Sequence, residues 1–167
     1  MNGLPMNLIW FRCDLRTTDN SALLAAADGR PCLALYLLSP AQWREHDDAP
    51  CKVDFWLRNL GELQRQLAAL NIPLLVRDCG HWRQAPEVIG RLCRELGVGA
   101  VHVNQEYGVN EERRDQAVGQ RLREQGVAFH SHLDQLFFAP GSVLTRTGGY
   151  FQVFSPVSYT HLTLPTT

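Results

Sequence analysis

Short apolar runs alternate with amphipathic stretches along most of the chain, at about one pair per 30 residues. The apolar runs are rich in bulky residues, which is typical of strands that are covered on both faces. Apolar positions at helical spacing between the runs predict four helices. The alternation indicates an α/β fold with a doubly wound, mostly parallel five-stranded sheet, and we expect a flavodoxin-like strand order. The predicted strands lie at residues 6–11, 32–38, 72–76, 99–104 and 127–130.

Capping residues and prolines predict where the later helices begin. Pro50 opens a long helix whose apolar stripe includes Trp56, which we expect to be a core residue. Asn110 is expected to cap the last helix, which follows the fourth strand. The polar segment 39–50 is expected to be a loop that is long enough to carry function.

The composition narrows the class of protein without identifying a partner. The chain has 167 residues, of which 45% are hydrophobic and 20% charged, so one domain with a buried core is expected. A formal net charge of -1 gives no general attraction to nucleic acid or membranes. The five cysteines lack a zinc-binding spacing, so we expect no metal site and a reducing compartment. No run approaches the length of a membrane span, and we therefore expect a cytoplasmic protein without a membrane partner.

The loop after the first strand is the best place in the chain to look for function. There is no GxGxxG after that strand and no GxxxxGK[ST] in the chain, which argues against two common nucleotide-binding motifs. Arg12, Asp14 and Arg16 instead follow the strand, at the end where ligands of parallel sheets bind. No spacing of serine, cysteine, histidine or aspartate suggests a nucleophile.

The same loop begins a series of family motifs. Residues 10–23 read WFRCDLRTTDNSAL and match the pattern WFRxDLRxxDNxAL of the photolyase/cryptochrome family. Together with the later matches, this motif covers nearly all of residues 7–156. On these residues the chain resembles the amino-terminal α/β antenna domain of a bacterial folate-type photolyase. The later matches, in chain order, are residues 34–36, 42–43, 72–74, 107–111, 114–115 and 150–156.

The resemblance implies light-driven repair of cyclobutane pyrimidine dimers in DNA, in which excited reduced FAD donates an electron to a flipped-out dimer. In the family, FAD and the DNA groove belong to a larger helical domain. The implied partners are therefore that domain and, through it, UV-damaged DNA. The resemblance therefore implies no catalytic residue in this chain, and we expect a monomer that does not repair DNA by itself. A cryptochrome blue-light receptor and a stand-alone nucleotide-binding module of flavodoxin-like architecture remain alternatives.

The resemblance also implies residues for an antenna chromophore. In folate-type members, Asn110 and Glu111 match the pair that contacts methenyltetrahydrofolate, and His46 falls in a segment that lines the same cleft. A carboxylate and an amide can form complementary hydrogen bonds to the amino-pyrimidinone edge of a pterin. The resemblance therefore favours folate over a deazaflavin or flavin antenna.

A structural and interdomain role is expected for Arg12, Asp14 and Arg16. Their alternating charges can form ion pairs and hydrogen bonds that hold the strand-helix junction and face the neighbouring domain. The alternative is a direct contact between Arg12 and the chromophore, especially with a deazaflavin antenna.

The sequence divides into three segments by these criteria. Residues 1–6 form a leader, residues 7–156 form the antenna domain with the start of an interdomain linker, and residues 157–167 form a tail. The tail contains no Lys, Arg, Asp or Glu, whereas the family pattern continues with an aromatic and then basic residues. We expect the tail to be non-native, and disordered or weakly docked.

Overall fold

The computed structural model describes residues 5–150 of the chain. The contacts between residues divide the chain into two compact units, of which the first ends at Gln135 and the second begins at Leu136. Residues 1–4 of the predicted leader and the predicted tail at 157–167 lie outside the described residues.

The first unit alternates strands and helices, and each of the five predicted strands is present to within about two residues. Segment 39–50, which was expected to be a loop, contains a short helix that begins at Pro40. None of the helices in the described part is long and apolar enough to cross a membrane. In chain order the elements are β1 (Met6–Phe11), α1 (Ser21–Ala26), β2 (Cys32–Leu38), α2 (Pro40–Glu45), α3 (Pro50–Ala69), β3 (Leu74–Asp78), a 3-10 turn (Trp82–Gln84), α4 (Ala85–Leu96), β4 (Val98–Asn104), α5 (Val109–Arg123) and β5 (Ala128–His132).

The five strands form one parallel sheet in the order β3-β2-β1-β4-β5. The doubly wound parallel sheet is confirmed, but the expected flavodoxin-like order is wrong, because that order places β3 next to β1. Here β2 separates β1 from β3, and β4 pairs with the free edge of β1. An alternation of strands and helices does not show on which side of β1 each new strand is added. The direction of winding reverses between β1 and β4, where parallel sheets open a crevice for ligands.

Both faces of the sheet are covered by helices. Leu8 and Trp10 of β1 point into one hydrophobic layer, and the alternate residues Ile9 and Phe11 point into the other. Two helices cover the outer side of each layer. Because β1 is buried on both faces, its sequence is a continuous apolar run. The buried helix residues of the two layers are Ala22, Leu23, Ala26, Leu60, Leu63 and Leu67 from α1 and α3, and Ala85, Ile89, Leu92, Cys93, Val118 and Leu122 from α4 and α5.

Residues 136–150 of the second unit contain turns and no helix or strand. The backbone N–H of Ser142 donates to the carbonyl of Ala139 at 3.0 Å, and the N–H of Thr145 donates to the carbonyl of Gly149 at 2.8 Å. Gly148 lies between the partners of the second bond with a φ of 80°, a conformation that favours glycine.

Three histidines lie together on strands β4 and β5. His102 is in register with His130, and its Nδ1 lies 3.0 Å from Nε2 of His132. The burial of His102, the imidazoles of His130 and His132, and the Arg30 guanidinium lower the pKa of His102 from 6.5 to about 4. His102 is therefore neutral in the folded protein at neutral pH, whereas it titrates near its ordinary pKa when the chain unfolds.

This histidine cluster predicts an acid-sensitive fold. Because the pKa of His102 is lowered on folding, its contribution to stability is complete above about pH 6.5 and is lost as the pH falls towards 4. The free energy of unfolding should fall by about 2 kcal/mol between about pH 7 and about pH 5. Urea unfolding at both pH values measures it, and His102→Gln should remove most of the difference. An unchanged pH dependence in that variant would contradict the assignment.

Candidate functional site

A cleft of about 510 Å³ opens at the carboxyl end of the sheet. The end of β1 and the loop after it, residues 10–16, form part of its lining. Further lining comes from α2, from the first half of α3 and from the start of α5. The cleft thus lies beside the reversal of winding between β1 and β4, which is the position expected for a ligand site in an open parallel sheet.

The structure brings the three predicted antenna residues to this one cleft. His46 lies directly after α2, and Asn110 and Glu111 lie in the first turn of α5. Asn110 is not the cap of that helix, because the helix begins one residue earlier and Gly108 takes the cap position. The Glu111 carboxylate folds back into the space that a Cβ at residue 108 would need, so this arrangement depends on glycine there.

All four tryptophans of the chain line the cleft. The rings of Trp43 and Trp56 lie 6.0 Å apart between centroids, with an angle of 46° between their planes. The expectation that Trp56 is a core residue is wrong, because the buried stripe of α3 begins only at Leu60. Burial raises the pKa of Tyr36, another lining residue, to about 12, so its phenol is neutral. The cleft therefore offers several aromatic rings among polar and charged side chains.

The wall formed by α2 is held against the loop after β3. The N–H of Ala41 donates to the carbonyl of Gly80 at 2.9 Å. Nε2 of His81 lies 2.9 Å from a carboxylate oxygen of Glu45, and the His81 ring stacks on Trp82 with 5.9 Å between centroids. These contacts fix the segment that carries His46 and Trp43.

Two buried arginines lie over the face of Trp10. Their guanidinium carbons are 4.8 Å (Arg12) and 4.9 Å (Arg114) from the ring centroid. Arg12 donates through Nη1 to both carboxylate oxygens of Asp115, at 3.0 and 3.2 Å. Arg114 donates to the same carboxylate at 2.8 and 3.0 Å, and to Glu106 at 2.5 Å. Two carboxylates thus balance two guanidiniums, and we call these four charged residues the Asp115 network.

Glu106 is ionised within this network. Burial alone would raise the pKa of its carboxyl, but the positive charges of Arg12 and Arg114 and the hydrogen bond from Arg114 outweigh that effect and lower the pKa. Sequence reasoning singled out neither Glu106 nor the role of Asp115. The available signals were the position of Glu106 after the end of β4 and the placement of Asp115 one helical turn beyond Glu111.

Asp14 connects three elements beneath the cleft. Its Oδ1 accepts a hydrogen bond from the backbone N–H of Arg12 at 2.9 Å, and its Oδ2 accepts one from Nδ2 of Asn104 at 2.7 Å. Oδ1 of Asn104 in turn accepts from the N–H of Ala22 at 2.9 Å. The end of β1, the end of β4 and the first turn of α1 are therefore joined by side chains that are almost fully buried.

Arg16 lies at the more exposed end of the same loop. It donates through Nε and Nη2 to the carbonyl of Asp19 at 3.1 and 2.8 Å, and it forms an ion pair with Asp134. The other oxygen of Asp134 accepts from the N–H of Ser21 at 2.9 Å. All three charged residues of the loop thus have partners at the strand-helix junction, and their interdomain role stays a prediction.

Comparison with known proteins places this chain in one family. The model of the family described as DNA photolyase matches residues 7–166. The chain is 41% identical over 160 residues to the deoxyribodipyrimidine photo-lyase of Vibrio cholerae, covering 95% of this chain and 34% of that protein. It is 36% identical over 155 residues to the Escherichia coli protein of the same name, covering 92% of this chain and 32% of that protein.

Solved structures show the same similarity. A class III photolyase from Agrobacterium tumefaciens matches with a TM-score of 0.72 and 27% identity, over 91% of this chain and 30% of that chain. An archaeal photolyase from Sulfolobus tokodaii, whose structure holds two FAD molecules, matches with a TM-score of 0.66 and 27% identity, over 84% of this chain and 32% of that chain.

The fold is that of the α/β domain of photolyases, with the cleft at its winding reversal. The chain belongs to the DNA photolyase family. It spans about a third of the length of the curated relatives that it matches.

The Asp115 network predicts a large stability effect from one atom-for-atom substitution. Asp115→Asn leaves two buried guanidiniums with one carboxylate, which should lower the free energy of unfolding by about 3 kcal/mol. Asp54→Asn is the matched control, because Asp54 forms an exposed ion pair with Arg58 at 2.8 Å and should change stability little. Urea unfolding followed by circular dichroism measures both variants. Equal stability of the two would show that the network contributes little.

Proposed function

We propose that the cleft binds the antenna chromophore of a light-driven DNA repair enzyme. The observation that carries this proposal is the convergence of His46, Asn110 and Glu111 on one aromatic cleft at the winding reversal. When bound, such a chromophore absorbs light and passes the energy to the catalytic flavin. The Sulfolobus tokodaii relative, with its two FAD molecules and an implied light-harvesting cofactor, supports a second chromophore in proteins of this fold.

Methenyltetrahydrofolate is the antenna that the residues favour. Within residues 5–150, the Glu111 carboxylate has no hydrogen-bond or ion-pair partner, so its oxygens are available to the N–H groups of a pterin edge. The Asn110 amide beside it supplies both a donor and an acceptor. The bridge of methenyltetrahydrofolate is cationic, and the faces of Trp43 and Trp56 are suited to a delocalised cation.

The whole repair activity belongs to a longer protein in this proposal. The curated relatives are deoxyribodipyrimidine photo-lyases about three times as long as the matched region. We propose that FAD and UV-damaged DNA bind to the family's helical domain, and that the present chain contributes light harvesting and does not repair cyclobutane dimers by itself.

Two neighbouring carboxylates of α5 provide a matched test. Glu111 and Glu112 both lie in the first turn of the helix, but only Glu111 lines the cleft. Glu111→Gln should weaken methenyltetrahydrofolate binding by about 10-fold, because a charge-assisted hydrogen bond is lost. Glu112→Gln should leave the affinity within about twofold, because Glu112 does not line the cleft. It is a matched control, because both substitutions remove one negative charge from the first turn of α5 and so change the helix-dipole interaction to a similar extent.

The four tryptophans allow the binding to be followed by fluorescence, since all of them line the cleft. Titration with methenyltetrahydrofolate should quench them by energy transfer to the folate. Parallel titrations with FAD, a deazaflavin and ATP rank the other ligands. Tighter binding of ATP than of any chromophore, or equal effects of the two substitutions, would overturn the proposal.

A further inference from the structure

The only lysine of the chain, Lys52, lines the cleft with a half-exposed side chain. Its Nζ donates to Oδ1 of Asp48 at 2.6 Å and lies 4.8 Å from the centroid of the Trp56 ring. An exposed lysine side chain usually samples many rotamers, and holding it in one conformation costs entropy. The ion pair and the cation–π contact together hold the ammonium group in a defined place above an aromatic wall of the cleft.

The ammonium group of Lys52 is more accessible than the carboxylate that holds it. The Lys52 side chain is 53% exposed, whereas that of Asp48 is 12% exposed. An ammonium group has three donors, and Asp48 uses one of them. Asp48 also lines the cleft, but the ammonium group is the more exposed partner and has two donors that Asp48 does not use.

The other cations that line the described cleft are less exposed than Lys52 and donate more hydrogen bonds within the protein. Arg12 and Arg114 are buried in the Asp115 network, with side chains that are 6% and 11% exposed. Arg16 is bound to Asp19 and Asp134. Of the four cationic residues in the lining, Lys52 is thus the most exposed and the best placed for an external anion.

We propose that Lys52 binds the carboxylate tail of the ligand and selects glutamylated folates over pterins that lack a glutamate. This inference rests on the proposed antenna function. Asn110 and Glu111 on α5 take the pterin edge, and Lys52 on α3 takes the glutamate end of the same molecule. Because the pair is half-exposed, we expect an affinity gain of about 2- to 5-fold, which declines as salt is added.

The test compares two ligands that differ only in the tail. Methenyltetrahydrofolate and its analogue in which a primary carboxamide replaces the glutamate, so that no carboxylate remains, are titrated into the chain at low salt with tryptophan fluorescence as the signal. The wild-type chain should bind the glutamylated ligand about 2- to 5-fold more tightly. Lys52→Gln should abolish this preference without weakening the binding of the carboxamide analogue, and Lys52→Arg should restore most of it. Arg58→Gln is the control, because Arg58 is an exposed cation of α3 outside the cleft lining.

The possible outcomes separate the two proposals. If the wild-type chain binds both ligands equally tightly, or if Lys52→Gln weakens both ligands equally, the role of Lys52 is wrong and the antenna site stands. If Arg58→Gln abolishes the preference as fully as Lys52→Gln does, the effect comes from general charge and the role of Lys52 is again wrong. If neither ligand binds at all, the folate antenna proposal fails, and the role of Lys52 fails with it.

Discussion

The Asp115 network holds together the parts of the cleft lining that follow β1 and β4 and begin α5. One carboxylate on α5 accepts hydrogen bonds from Arg12, which follows β1, and from Arg114 on its own helix. Glu106, which follows β4, supplies the second negative charge. The loops after two adjacent strands and the first turns of α5 are therefore tied together by buried charge pairs, for which the low local dielectric makes a missing partner costly. The cleft residues that belong to these loops and to α5 therefore depend on this network for their positions.

The strand order explains why that network and the cleft occur at the same place. Adding β4 to the free edge of β1 leaves no crossover connection above the gap between their carboxyl ends. The loops after β1 and β4 face each other across this gap. A flavodoxin-like order would have put β3 beside β1, and the loop after β4 would then have been one strand further from Arg12.

The sequence allowed much of the fold to be predicted but little of the site geometry. Strand and helix positions follow from local patterns, whereas the strand order depends on which side of β1 each crossover packs. Asn110, Glu111 and His46 were found through a family motif and not through spacing. Trp56 was misjudged because helical periodicity shows which face of α3 is apolar, but not where the sheet beneath it ends. The pairing of Arg12 with Asp115 joins residues 103 positions apart, and no local pattern reports it.

The contacts of Arg12 bear on the two roles considered for it, which both stay predictions. Its Nη1 donates to Asp115 and its Nη2 donates to the carbonyl of Asn104, while its Nε faces Glu106 at 3.7 Å. A chromophore that took over the Arg12 nitrogen bound to Asp115 would displace a buried partner, whereas Nε has no hydrogen-bond partner of its own among the described residues. Asp115 would keep its hydrogen bonds from Arg114 and lose those from Arg12, so a direct contact exchanges hydrogen bonds within a buried network for a new one. The geometry therefore favours a ligand contact with Glu111, which has unused acceptors, over a direct contact with Arg12.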